Sequence, residues 1–332
     1  MNAAFLERAM HEAGELASLP QTFAEVLRVL RDERSSADQL ARVLMKDPPL
    51  TAKVLRMANS PIYGTGQKIG SMIQAIRVLG DRQVTALALS TTVYDMTQDW
   101  LSSLDRMRFW RHALETAIAS RMIGESLGRK STEELFLAGL LHDLGLLVLE
   151  KMEPKEFARI WNEAGKEGGF VGMEYQLWGT THAEIGGYLL RKWYLPEGIC
   201  QPVDQHHNGA ILDQTEPDLV PSQILMLGHM ISKFTIAPER ELNTDALLAT
   251  ESLRSALGIP AGQLVDIERD LTSTTMAEAD YLEMNIGTID DLLLEANRLL
   301  FEQSVAAERL ANENLRLRRR LQKQQADAES VT

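Results

Sequence analysis

The sequence predicts an all-α protein, and three observations carry that reading. Apolar residues recur at spacings of three and four between repeated helix-start signals. Strand-like alternation is nearly absent along the whole chain. From Ile289 onward the spacing becomes a sustained heptad, the mark of a long helix that seeks a partner helix.

The first 95 residues read as a succession of short helices. Thr22 with Glu25, Ser36 with Gln39, and Ser71 with Gln74 each fit a capping box, in which two side chains satisfy two orphan amides reciprocally. Asp47 before Pro48 is another start, with proline where its missing donor costs nothing. Gly80, after Ala75-Ile76-Arg77-Val78-Leu79, predicts a left-handed stop, and Tyr63-Gly64-Thr65-Gly66 reads as a loop.

A second helical block is expected from about Asp105 to Phe234. Its helices start near Asp105, Ser131 (with Glu134), Pro154, Thr181 (with Glu184) and Pro196, with a glycine-rich break from Gly165 to Gly169. Residues 236–285 are less periodic and predict two or three closing helices. In the heptad segment, Ile289, Ala296, Gln303, Leu310 and Leu317 form one seam, and Leu293, Leu300, Ala307, Asn314 and Leu321 form the other. Eight of these ten are apolar, no glycine or proline lies between Thr288 and Thr332, and Asn314 in the seam favours one register and a dimer. A single amphipathic helix folding back on its own domain fits the same pattern. The expected organisation is therefore an N-terminal block over residues 1–100, a helical bundle over 101–285 and a coiled-coil helix over 286–332.

Composition narrows the function. With 45% hydrophobic and 24% charged residues the chain can bury a real core. A net charge of −13 opposes general attraction to nucleic acid or anionic membrane. Only Arg309 to Lys323 is basic, with six basic residues against one acidic, a net of +5 that leaves −18 on the rest. No run of about 18 apolar residues occurs and the N-terminal 15 residues are polar, so a soluble, cytoplasmic protein is expected. One cysteine, Cys200, excludes an intramolecular disulfide and a thiolate-rich zinc site, so any metal would need nitrogen and oxygen ligands.

Six of the seven histidines fall between His112 and His229 in a specific order. His112 lies on a helix, His142 is joined to Asp143, His182 stands near a helix start, and His206 and His207 form a doublet. His229, inside an apolar helix, reads by itself as a core histidine and joins the set only as an additional candidate ligand. His11 stands outside it. Imidazoles with one carboxylate suit a divalent metal such as iron, manganese, zinc or nickel, and ligand type alone does not choose among them. A bound metal would lower the pKa of coordinated water, which is the enzymatic reading, with His142 and Asp143 as the catalytic pair.

The order of His112, His142-Asp143, His182 and His206-His207 resembles the HD superfamily of metal-dependent phosphohydrolases. The match is closer to the HDOD family, the HD-related output domain of bacterial signalling proteins. Its N-terminal pattern resembles Leu19-Pro20, Asp47-Pro48-Pro49-Leu50, Leu55-Arg56-Met57-Ala58-Asn59-Ser60, Ile69-Gly70-Ser71 and Leu79-Gly80. Phe109-Trp110-Arg111-His112, Leu140 to Gly145, His182 to Gly186 and Trp193-Tyr194-Leu195-Pro196 continue it, so the resemblance covers about residues 14 to 235. It implies an HD-type helical bundle and a signalling output or scaffold role, often without hydrolase activity. It departs from the active enzymes at Leu146, where His-Asp-x-Gly-Lys would place a lysine, and at Asn208, where no glutamate or Gly-Tyr-Pro follows the doublet. The closing aspartate of those enzymes aligns with His229 or is missing. The resemblance therefore implies a metal-binding, weakly catalytic or non-catalytic signalling module. A metal-dependent phosphohydrolase acting on a nucleotide or other phosphoester is the alternative. Expected partners are a second copy through the coiled coil and a signalling protein.

Overall fold

A computed structural model describes residues 3–14, 20–31, 36–60, 68–97, 104–164, 169–232 and 244–288, together with 290, 291, 294 and 297. The chain divides into two units, Met1–Ile286 and Gly287–Thr332. Every regular element among the described residues is helical.

The first unit opens with short helices: α1 (Ala3–Ala13), α2 (Gln21–Arg31), α3 (Ala37–Leu44), α4 (Pro48–Ala58), α5 (Met72–Leu79) and α6 (Asp81–Met96). Ser36 and Gln39 form the expected reciprocal cap on α3. The Asp47 carboxylate accepts from the Leu50 amide at 3.0 Å and starts α4 with Pro48 in its first turn. Two expected caps differ. Helix α2 starts two residues early, because the Pro20 carbonyl accepts from the Phe23 and Ala24 amides and puts Thr22 inside the first turn. Ser71 caps α5, but the Gln74 side chain accepts from the Gly70 amide at 2.9 Å, one residue before the cap. Gly80 ends α5 with φ 87° and ψ 158°, a positive φ but an extended ψ that sends the chain straight into α6. The Asn59 side chain clamps Ile69, taking its amide at 2.8 Å and donating to its carbonyl at 2.9 Å.

The remainder of this unit comprises α7 (Arg106–Ser126), α8 (Thr132–Leu141), α9 (Leu144–Met152), α10 (Pro154–Glu163), α11 (Phe170–Trp178), α12 (His182–Lys192), α13 (Glu197–Gln205), α14 (Val220–Ile231), α15 (Thr244–Ala256) and α16 (Ala261–Leu282). Asp105 caps α7, Pro154 opens α10, and Thr181 with Glu184 forms a capping box on α12. Ser131 precedes α8 as expected, yet its hydroxyl accepts from Arg82 at 3.2 Å and gives α8 no side-chain cap. Residues 236–285 provide two helices, α15 and α16, among the described residues.

Helix α7 is the axis. Every residue from Phe109 to Arg121 is buried, so this helix is packed all round by α8, α14 and α16. Helix α16 and the segment that follows it are fastened to α7 by buried polar contacts: Arg121 makes two bonds to Glu278 at 3.2 and 2.7 Å, and Arg111 Nε donates to the Ile286 carbonyl at 2.6 Å.

In the second unit, Thr288 N and Oγ1 both donate to Asp291 Oδ2 at 2.7 Å, and the Asp291 amide returns to Thr288 Oγ1 at 3.2 Å. This is a reciprocal helix start. The heptad seam from Ile289 to Leu321 lies outside the described residues, as do the predicted loop at Tyr63 to Gly66 and residues 165–168 of the predicted break.

Candidate metal centre

Five separate helical elements deliver the expected side chains to one place. His112 comes from α7, His142 and Asp143 from the joint between α8 and α9, and His182 from the first position of α12. His206 and His207 follow the end of α13, and His229 lies in the last turn of α14. The chain leaves helical geometry between α8 and α9, since Asp143 has φ −99° and ψ 8°. That break aims the Asp143 carboxylate into the cluster. Gly145 permits the approach of α9 to α12, because a Cβ there would lie 1.9 Å from the His182 carbonyl oxygen.

Asp143 divides the cluster in two. Its Oδ1 lies 3.4 Å from His182 Nε2 and 3.5 Å from His206 Nε2, while Oδ2 lies 3.1 Å from His142 Nε2 and 3.7 Å from His112 Nε2. One set of donor atoms comprises Asp143, His182, His206 and His207, the other His112, His142 and His229, and within each set the atoms lie within 4.8 Å of one another. His229, which reads alone as a core histidine, brings Nδ1 to 3.1 Å from His112 Nε2 and 3.2 Å from His142 Nε2. His11 is exposed on α1 and outside the cluster. Cys200 is also outside it. Its thiol donates to the Leu195 carbonyl, and burial pushes its pKa up to about 12.

The outer edges of the rings are anchored. His142 Nδ1 donates to the Gly139 carbonyl at 2.6 Å, and His206 Nδ1 donates to the Val203 carbonyl at 2.7 Å. His182 Nδ1 donates to the Glu174 carboxylate at 2.7 Å. Ser232 donates to Glu115 at 2.8 Å, which leaves its hydroxyl oxygen to accept from His112 Nδ1 at 3.0 Å. With Nδ1 carrying the hydrogen, the Nε2 lone pair of each neutral ring faces inward. Backbone carbonyls and carboxylates orient metal-binding histidines in this way. Sequence reasoning missed Glu174, Glu115 and Ser232. An acid in the largely apolar α11, and one a turn after His112, were the available signals.

Charge in the pocket is unevenly distributed. Burial alone would push His182 down, but Glu174 and Asp143 raise it to about 10. Burial lowers His206 to about 4 and, helped by neighbouring imidazoles, lowers His207 and His229 well below the ordinary value. Burial pushes Asp143 up, and the combined pull of His142, His182 and His206 overcomes it, holding the carboxylate well below its usual range.

Three inward atoms, Asp143 Oδ1, His182 Nε2 and His206 Nε2, are buried without a hydrogen-bond partner. Such groups are costly to bury, and a cation at their common focus would satisfy them together. The donor set of imidazole and carboxylate therefore fits a divalent transition metal, and at His182 the metal would take the place of the ring proton.

The HDOD domain pattern matches residues 16–209 of the chain. A solved HDOD domain protein of unknown function from Geobacter sulfurreducens is 24% identical, with 84% of this chain and 98% of that one covered and a TM-score of 0.66. A Shewanella amazonensis SB2B protein provisionally named a phosphohydrolase is 25% identical, with the same coverages and TM-score. A curated, uncharacterized protein of Treponema pallidum (strain Nichols) is 23% identical over 199 residues, which span 58% of this chain and 38% of that relative.

Proposed function

The chain belongs to the HDOD domain family, and from that premise we propose that it is a signal-transduction output module built around a buried divalent-metal pocket. The observation that carries this reading is the focus of unpartnered ligand atoms: Asp143 Oδ1 with the Nε2 atoms of His182 and His206, joined by His112, His142, His207 and His229. In this reading, Asp143, His182, His206 and His207 would hold one cation, and His112, His142 and His229 would form the adjoining half. Glu174, Ser232 with Glu115, and the carbonyls of Gly139 and Val203 would keep the rings turned inward. A bound cation would supply Lewis acidity and make coordinated water more acidic.

Catalysis is weak or absent in this reading. Where active HD enzymes resemble His-Asp-x-Gly-Lys, this chain carries Leu146, which is buried and offers no cation to a substrate phosphate. The second reading, a phosphohydrolase acting on a nucleotide or other phosphoester, is favoured by the nearly full histidine set and by the provisional name of the Shewanella relative. Residues 1–100 would be the partner-binding block and 101–285 the metal-holding bundle. The heptad segment would pair two copies of the chain. No helix among the described residues is long and apolar enough to cross a membrane, and the cytoplasm is the proposed location.

Elemental analysis of protein purified without chelator, run beside a hydrolysis screen on cyclic dinucleotides and simple phosphoesters, tests the reading. Bound transition metal with little turnover is expected. Metal-free protein would remove the pocket reading. Robust turnover lost in the His142→Ala, Asp143→Ala double variant would replace the output module with the hydrolase.

A further inference from the structure

The two halves of the pocket differ in chemical kind. The half formed by His182, His206 and His207 contains Asp143, whereas His112, His142 and His229 are three imidazoles. Among the described residues, Asp143 is the carboxylate shared between them, with one oxygen facing each half. In the imidazole half, the Nδ1 atoms of His112 and His142 are committed to Ser232 and Gly139. Their two Nε2 lone pairs therefore converge on His229 Nδ1 at 3.1 and 3.2 Å, where a single ring hydrogen can serve them. Packing fixes His229 there. A Cβ at the preceding residue, Gly228, would lie 2.6 Å from Ser120 Oγ and 3.1 Å from Ser120 N, so α14 is seated tightly on α7 beside His112. His229 lies beyond residue 209, where the HDOD match ends.

We infer that His229 is the specificity-determining ligand of the pocket: it completes a three-imidazole cation site whose one oxygen is the shared Asp143 Oδ2, and this half takes zinc, nickel or cobalt in preference to manganese and magnesium. The inference rests on the metal-pocket reading above. Three neutral imidazoles add no charge to that of the shared Asp143 carboxylate, so binding in this half depends chiefly on nitrogen-to-metal donation, which strengthens from manganese towards nickel and zinc. Hard cations favour mostly oxygen ligands instead. An aspartate at position 229 would supply a second oxygen and a second negative charge.

The test uses the full chain, stripped with chelator and loaded separately with Zn2+, Co2+ or Mn2+. Bound equivalents are counted by elemental analysis after gel filtration, and the Co2+ form is followed by its visible absorption. Two equivalents of Zn2+ and at most one of Mn2+ are expected for the natural chain. His229→Ala should lose one equivalent of Zn2+ and the matching part of the Co2+ spectrum. His229→Asp, which keeps a ligating side chain and so answers if the alanine variant does not fold, should bind a second equivalent of Mn2+. Equal uptake of Mn2+ and Zn2+ by the natural chain, or two Zn2+ retained in His229→Ala, would overturn the role of His229 while leaving the metal pocket standing. No metal of any kind would overturn both.

Discussion

Two buried polar clusters lie against α7, and they are built in opposite ways. At one, Arg121 and Glu278 close on each other through two parallel hydrogen bonds, with the guanidinium 5.0 Å from the centre of the Phe136 ring. At the other, Asp143 Oδ1, His182 Nε2 and His206 Nε2 face each other without hydrogen bonds although the outer edges of the His142, His182 and His206 rings are anchored. A structural ion pair finishes its own satisfaction inside the protein, while a ligand site has its outer edge fixed and its inner edge open. The difference separates a polar group that holds helices together from one shaped to receive something.

The largest effect expected from this contrast belongs to the closed cluster. Glu278→Ala leaves the Arg121 charge buried and should destabilise the chain by about 3–5 kcal/mol in chemical denaturation. The loss should be the same with and without added Zn2+, and an Arg121→Met, Glu278→Leu double variant should recover most of it. A Glu278→Ala cost that vanished on adding metal would break the distinction between the clusters. At the open cluster, metal should add about 2.7 kcal/mol to the natural chain at a hundredfold excess over Kd, and Asp143→Asn should abolish that increment. A full metal increment in Asp143→Asn would show that the carboxylate is not the shared ligand.

Gly145→Ala probes how the open cluster is positioned. Its Cβ would meet the His182 carbonyl and push α9 from α12, so a loss of about 1–3 kcal/mol is expected. Metal affinity, read by calorimetric titration, should fall in the same variant because Asp143 and His182 sit on opposite sides of that crossing. Unchanged affinity would mean that the joint does not set their spacing.

The smallest effect is the pH response of metal-free protein near neutrality. His206, at about 4 in the fold, and His207 and His229, also lowered, bind protons more readily in the unfolded chain. Stability should therefore fall as pH drops from about 6.5 towards 4. His182, raised to about 10, acts in the opposite sense: its contribution is full below about 6.5 and fades as pH rises through about 10. Thermal melts of His206→Gln should lose part of the acid-side slope and keep the alkaline one, and an unaltered acid slope would remove His206 from this account.

Much of the fold was legible in short windows of sequence. The Ser36–Gln39 and Thr181–Glu184 boxes, the Asp47 and Asp105 caps and the Pro154 start are local devices, each decided by side chains within one turn of the backbone they satisfy. Thr22 misled because Pro20, two residues earlier, already accepted the first amides. Ser131 misled because Arg82, far away in the chain, claims its hydroxyl. The break between His142 and Asp143 was not legible either, since Ala138 to Leu149 is continuously apolar around the pair and carries no glycine or proline stop at the joint itself.

The order and type of the ligands were determined by sequence alone, because a histidine or aspartate carries its chemistry wherever it stands. The helical class was determined there too, because caps and 3.6-residue periodicity act over a few residues. Only the tertiary structure decided that His229 faces His112 across 117 residues of chain. It also decided that Glu174 holds His182, and that Arg121 closes on Glu278 while Asp143 stays open. Those outcomes depend on how closely whole helices pack, and glycines such as Gly145 and Gly228 act on partners that no local window contains.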